Sequence, residues 1–274
     1  LKKIFRQSSG SGIVTLAKEI REETTCHYED GVEFIERTTP KIMDALIDYV
    51  KDMDLDSMQI LAPMYKGAAG IDEINRQMQV LFNPKSPQKN QMKVGTTIFR
   101  ENDKVMLLKN LPDEDVYNGD IGVLVEIGRK DGFEYLEDTL IVDFDGNFVE
   151  YTSKDFLTFT LAYCMSIHKA QGNEFKIVIM PVLDDYYIML KRNLIYTGLT
   201  RAKQSLFILG SPKAFLYGIQ NVKDAKRKTT LTSKINQEQS LNLYDFLEKE
   251  ESSLDETVDE SGYQEDLPFE DVPF

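Results

Sequence analysis

The densest run of reactive side chains is Ser166-Ile167-His168-Lys169-Ala170-Gln171-Gly172-Asn173-Glu174-Phe175, directly ahead of an apolar stretch. Hydroxyl, imidazole and ammonium groups suit phosphate oxygens, and a glycine lets backbone N–H groups come close to a ligand. A solvated helix closed by a glycine C-cap fits the same residues as well. A second run is Asn193-Leu194-Ile195-Tyr196-Thr197-Gly198-Leu199-Thr200-Arg201-Ala202-Lys203. Here Arg201 ends a mostly apolar helical pattern, where a guanidinium can project toward a neighbouring site and neutralise developing phosphate charge. An ordinary surface arginine near a helix C-terminus is the competing reading. Phe5-Arg6-Gln7, after a short apolar strand, carries the same two readings. No Gly-x-x-x-x-Gly-Lys-[Ser/Thr] loop occurs, and no Asp-Glu pair closes an apolar strand in a context that would hold Mg²⁺.

The elements that must position these residues follow from periodicity. Ile13, Leu16, Ala17 and Ile20 recur at helical spacing, as do Ile42, Leu46, Ile47 and Val50 after Pro40. Met58-Gln59-Ile60-Leu61-Ala62 reads as a strand stopped by Pro63. A glycine loop, Lys66-Gly67-Ala68-Ala69-Gly70, and a helix through Ile71, Ile74, Met78 and Leu81 follow it. From about residue 93 to 151 the period becomes two, with turn signals at Asn118-Gly119, Lys130-Asp131-Gly132 and Asp145-Gly146, which predicts four or five short strands in a small β-barrel. After it the α/β rhythm returns: strand near 156–161, helix 165–171, strand 176–182, helix 193–202, strand 205–209 and a helix from Pro212. The expected fold is thus an α/β domain interrupted by a β-module.

At 274 residues the chain has room for about two domains, and its apolar and aromatic content excludes collagenous and wholly disordered classes. The two cysteines, Cys26 and Cys164, and the two histidines, His27 and His168, suggest neither a zinc site nor a disulfide framework. Reduced thiols and a cytoplasmic location are expected, with no metal ligands and no membrane span, the longest apolar stretch being far short of a bilayer. The start at Leu1, without a signal peptide, reads as the middle of a longer protein. The net charge of −14 argues against a nucleic-acid partner until its distribution is considered. Residues 248–274 hold 11 acidic residues and one Lys, leaving 35 acidic against 31 basic in the rest. The body is nearly balanced, so a local basic stripe can still hold phosphates, and the acidic, Pro-containing tail is expected to be unstructured in isolation.

In this order, Ile4-Phe5-Arg6-Gln7, Leu61-Ala62-Pro63-Met64-Tyr65-Lys66-Gly67, the 166–175 run and the 194–203 run resemble the RecD-like branch of superfamily-one DNA helicases, the exodeoxyribonuclease V alpha-subunit type. The resemblance spans roughly residues 1–230 and includes Asn118-Gly119-Asp120-Ile121-Gly122. It implies a C-terminal fragment holding the second RecA-like domain, the half without a P-loop, split by an SH3-like barrel. The expected domains are 1–90 and 156–222 for the RecA-like part, 91–155 for the barrel and 223–274 for the tail. One departure is Glu101-Asn102-Asp103-Lys104, where the barrel of relatives commonly has glycine before Asp-Lys.

The resemblance implies ATP, with Mg²⁺, bound mainly by the missing N-terminal RecA-like domain, so that the fragment alone hydrolyses nothing. Arg6 and Arg201 resemble the arginines that reach the γ-phosphate, and Gln171, Gly172 and Glu174 the segment beside the nucleotide, Glu174 accepting a ribose hydroxyl. Ser166, His168 and Lys169 correspond to contacts with single-stranded DNA phosphates. Pro63, Tyr65, Lys66 and Asn75 correspond to contacts with the strand or stacking on a base. The implied activity is 5′ to 3′ translocation driven by closure of two domains. Gln239-Ser240-Leu241-Asn242-Leu243-Tyr244 is similar to a sliding-clamp-binding motif, and Glu270-Asp271-Val272-Pro273-Phe274 resembles the acidic tip of bacterial single-strand-binding proteins. An ordinary docked helix and a merely solvating tail fit these two segments too. The alternative function is a non-catalytic nucleic-acid-binding or adaptor module recruiting repair partners through its tail. A nuclease lacks the clustered carboxylates it would need.

Overall fold

The computed structural model describes residues 11–130 and 136–222, all of which belong to one compact unit. Helix α1 (Gly12–Glu22) begins where the Ser11 hydroxyl accepts from the Ile13 amide at 3.3 Å, and it buries Ile13, Leu16, Ala17 and Ile20. That single apolar stripe is the signature of a helix lying on a sheet. Strand β1 (Val32–Glu36), unmarked by the period reading, follows Gly31, whose φ of +92° and approach to the Gln204 carbonyl leave no space for a Cβ. Helix α2 (Ile42–Val50), the fully buried β2 (Met58–Ala62) and α3 (Ile71–Phe82) come next, as expected.

The antiparallel module comprises the hairpin β3 (Gln91–Val94) and β4 (Thr97–Arg100) and a sheet of β5 (Asp103–Leu107), β6 (Ile121–Gly128), β7 (Thr139–Phe144), β8 (Asn147–Thr152) and β9 (Phe159–Leu161). Its core packs Phe99 edge-on and Tyr151 at a tilt against Phe159, at 5.2 and 5.1 Å between ring centroids. The strand expected near 156–161 as the return to the α/β layer is corrected here. Residues Phe156–Thr158 form a 3-10 turn, and β9 pairs antiparallel with β5. The parallel layer resumes only at β10 (Cys164–Ser166), followed by β11 (Phe175–Val182), α4 (Arg192–Leu199), β12 (Ala202–Gly210) and α5 (Pro212–Gln220).

These elements make a five-stranded sheet in the order β1-β12-β11-β2-β10, parallel throughout. Strands β2 and β10 and the second half of β11 are buried continuously, as both-side coverage requires, while β1 and the start of β12 are partly exposed. Among the described residues no helix is long and apolar enough to cross a membrane.

The module is locked to the sheet at the start of β5. The Asp103 carboxylate accepts from Gln79 and Asn83 of the α3 end at 2.6 and 2.7 Å, from Tyr163 at 2.9 Å and from the Arg100 amide at 2.7 Å. Burial pushes its pKa up, while these four donors pull the other way. Lys104 turns to the opposite side and caps the carbonyls of Leu55 and Met58 at 2.9 and 3.2 Å. Before them, Asn102 takes φ of 71°, the left-handed conformation that glycine adopts freely and asparagine tolerates best after it. The departure noted at this turn is therefore a conservative one.

Candidate nucleotide and nucleic-acid interface

Strand register decides which candidate residues meet. Ser166 ends β10 opposite Ala62 at the end of β2, so the 63–70 loop and the 167–170 turn adjoin at the C-terminal edge of the sheet. Phe175 opens β11 opposite Ala202, so Glu174 and Arg201 adjoin at the N-terminal edge. The link from β10 to β11 therefore crosses β2 and runs from one edge of the sheet to the other.

At the C-terminal edge, the loop after β2 is held by the Ile71 amide donating to the Met64 carbonyl at 2.9 Å and the Asp72 amide to the Tyr65 carbonyl at 3.1 Å. Gly70 packs against the Tyr65 and Lys66 carbonyls too closely for any side chain. The loop presents Tyr65, 48% exposed, and Lys66 to solvent, while Pro63 is buried beneath them. Both presented residues line a groove of about 660 Å³ that continues past Arg76 and Arg100 onto the antiparallel module.

Asn75, expected to contact the strand, is instead 5% exposed and engages the Cys164 backbone. The helix expected at 165–171 is also corrected. Its first residues are β10, drawn into the sheet by pairing with β2, and only a turn follows, with the Ala170 amide donating to the Ser166 carbonyl at 3.1 Å. Ser166 is 6% exposed, and its hydroxyl accepts from the Lys169 amide at 3.2 Å, leaving His168 exposed and Lys169 half-buried above it. The serine thus shapes the turn that displays the imidazole and the ammonium candidates.

At the N-terminal edge, Gln171 and Gly172 are exposed, and Gly172 has φ of +106° in open space, so backbone conformation rather than crowding calls for glycine. Glu174 pairs with Lys203 at 3.2 Å. Arg201 differs from the outward-projecting arginine expected at a helix end. Helix α4 stops at Leu199, and Arg201 lies in the turn before β12, 8% exposed. Its Nε donates to the Thr197 carbonyl at 3.2 Å, Nη1 to the Asn173 carbonyl at 3.1 Å and Nη2 to the Thr200 hydroxyl at 3.3 Å. It does share the face of Gly172 and Glu174, because its own carbonyl accepts from the Phe175 amide at 2.9 Å. Gly198 lets α4 lie this close, since a Cβ there would meet the Met180 sulfur at 2.8 Å.

Two residues were missed by sequence reasoning. Lys203 stands two positions after Arg201 inside a quoted motif, yet no spacing rule pairs it with Glu174. Asn173 lies between two candidates, and its partner Gly119 is distant in the chain. Arg6, the 239–244 segment and the 270–274 segment lie outside the described residues. Among those described, no group of three or more metal-ligating side chains occurs. The residues present fit one wall of a nucleotide site, with a carboxylate suited to a hydroxyl and a guanidinium suited to phosphate, and supply no Mg²⁺ carboxylate set.

Residues 74–144 match the family described as the ATP-dependent RecD-like DNA helicase SH3 domain, and residues 161–209 the UvrD-like helicase C-terminal domain. The chain is 34% identical over 179 residues to the ATP-dependent RecD2 DNA helicase of Deinococcus radiodurans, covering 65% of this chain and 23% of that protein. It is 29% identical over 132 residues to the RecBCD enzyme subunit RecD of Haemophilus influenzae, covering 46% of this chain and 17% of that one. The match thus spans less than a quarter of either relative. The fold is also similar to the crystal structure of a Bacteroides Pif1 helicase in complex with ADP-AlF3 and ssDNA, at 18% identity and a TM-score of 0.49, covering 88% of this chain and 57% of that one.

Proposed function

We propose, for a chain that joins a RecD-like helicase SH3 domain to a UvrD-like helicase C-terminal domain and so stands among the RecD-like superfamily-one DNA helicases, that it is the second RecA-like domain of an ATP-dependent motor moving 5′ to 3′ on single-stranded DNA. In this reading a preceding RecA-like domain brings the P-loop and the Mg²⁺ carboxylates, and this chain closes the site from the far side in the cytoplasm. Gln171 and Gly172 border the nucleotide, Glu174 accepts a ribose hydroxyl, and Arg201 with Arg6 brings positive charge toward the γ-phosphate. Tyr65 offers a stacking face, and Lys66, His168 and Lys169 offer donors to DNA phosphates. Pro63, Asn75 and Ser166 support these groups from beneath.

The observation that carries the reading is the course of residues 166–174. One short segment connects the edge bearing phosphate-type donors to the edge bearing Glu174 and Arg201. Movement at a nucleotide is thereby transmitted to the grip on a strand. Three of the bonds Arg201 makes go to neutral acceptors; the ionised guanidinium makes each of them charge-assisted, and a phosphate would add the ion pair that they lack. Nucleotide arrival must offset these bonds for the guanidinium to change partner.

The burial of Arg201 favours a second reading, a non-catalytic nucleic-acid-binding or adaptor module in which this arginine only braces the 173–175 segment. Joining the chain to a P-loop-bearing domain and replacing Arg201 with alanine separates the two. A fall in DNA-stimulated ATP hydrolysis of about 10³-fold or more, with single-strand binding retained, supports the motor. Unchanged hydrolysis supports the adaptor.

A further inference from the structure

We propose that Asn173 is the positioning residue that keeps the inserted barrel in step with the nucleotide-facing edge. This inference rests on the motor reading and extends it to the barrel. Asn173 makes three links in three directions. Its amide donates to the Ala170 carbonyl at 3.1 Å, closing the turn that displays His168 and Lys169. Its carbonyl accepts from Arg201 Nη1 at 3.1 Å. Its side-chain Nδ2 donates to the Gly119 carbonyl of the barrel at 3.1 Å.

The Gly119 end is anchored. The Gly119 amide donates to the Leu107 carbonyl and the Leu107 amide to the Asp120 carbonyl, both at 2.9 Å, which ties the 117–120 turn to the last residue of β5. That strand begins at Asp103 and Lys104, the pair clamped to α3 and to the approach to β2. Gly119 also backs directly onto the same turn, since a Cβ there would meet the Lys169 carbonyl at 3.9 Å. Displacement of the 170–174 segment therefore loads the barrel through this side-chain amide, beside the backbone contact of Gly119 with Lys169.

The chemistry is specific to an amide donor. The bond borders a cleft of about 540 Å³ lined by Asp120, Asp145 and Glu174. A carboxylate at position 173 would face the Gly119 carbonyl among those acids, and alanine would leave that carbonyl to water. One such bond can supply a coupling of about fivefold.

The test is amide hydrogen exchange on the chain joined to its P-loop-bearing domain, with and without a nonhydrolysable ATP analogue on single-stranded DNA. In the unsubstituted protein the analogue should alter exchange in both 168–173 and 117–121. In N173A and the isosteric N173D the 168–173 response should persist, while the 117–121 response should drop about fivefold or more. The inference is overturned if 117–121 responds equally in the variants, or stays silent in the unsubstituted protein while 168–173 responds. If neither segment responds there, the nucleotide-wall reading has failed and the coupling falls with it. Loss of the folded state in both variants also counts against a positioning role, because a bond worth a fewfold effect cannot hold the fold.

Discussion

Asn75 takes both backbone polar groups of Cys164, Nδ2 donating to the carbonyl at 2.9 Å and Oδ1 accepting from the amide at 2.8 Å. Cys164 lies on β10, the edge strand of the parallel sheet, so one side chain of α3 stands in for the neighbour that strand lacks. Asn75→Ala leaves a buried donor and acceptor unpaired and should cost about 2 kcal/mol, read as a lowered urea midpoint. Single-strand affinity measured well below that midpoint should change little. A large loss of affinity at unchanged stability would restore Asn75 to the DNA-facing set.

Asp103 is a second such hub. Replacing it with alanine takes away the acceptor of the Tyr163 hydroxyl and of the Arg100 amide and leaves the Gln79 and Asn83 amides only the Ile98 and Glu101 carbonyls, and unfolding should become easier by about 3 kcal/mol. Limited proteolysis should then cut first in the connections to the antiparallel module. Unaltered cleavage would show that the clamp does not hold the module in place.

Lys104 gives a pH signature. Burial pulls its pKa down to about 8 from 10.5, so between those values the folded chain binds fewer protons than the unfolded one. Stability from this group therefore rises with pH across the window, by up to about 1.4 kcal/mol per unit. Buried Cys164 and Tyr163, whose pKa values burial raises, act in the opposite sense above about pH 9 to 10. The informative quantity is the difference between the unsubstituted chain and Lys104→Met. It should tilt toward the lysine from about pH 8 upward, and a flat difference across denaturation curves at several pH values contradicts the assignment.

Gly172 is needed for its backbone angle alone. Thermal melts should rank Gly172→Val as more damaging than Gly172→Ala, with Gly172→Asn the mildest and alanine costing about 1 to 2 kcal/mol. A reversed order would mean that contact, not φ, governs the site.

Lys169→Met should remove one phosphate contact from a bound single strand. Titrations across salt concentrations should then show the slope of log affinity against log salt reduced by about 0.7, with the loss uniform across DNA sequences. A slope equal to that of the unsubstituted protein places Lys169 off the strand.

The helices α1, α2 and α3 and the strands β2 and β11 were legible because each buries one regular stripe or run, and periodicity reports burial directly. Strand β1 was missed because its half-buried pattern is too short to stand out between two helices. Residues 165–171 read as helix from their own composition, but pairing of Met165 with Leu61 and Ser166 with Ala62 claims the first two of them for the sheet. β9 belongs to the antiparallel layer, which the sequence does not show because the triplet Phe159-Thr160-Leu161 fits a parallel or an antiparallel partner equally well.

What the sequence by itself determined was the inventory and its order: the motifs, none of them a Gly-x-x-x-x-Gly-Lys-[Ser/Thr] run within these residues, and the β-module set into an α/β frame. These are local properties, carried by residue type and spacing along the chain. Only the tertiary structure decided how the motifs are deployed. It set Arg201 against the Asn173 carbonyl, turned Asn75 and Ser166 inward and brought Gly119 to Asn173. Such choices depend on strand register and on which buried polar groups find partners, and both are fixed by contacts between residues far apart in the chain.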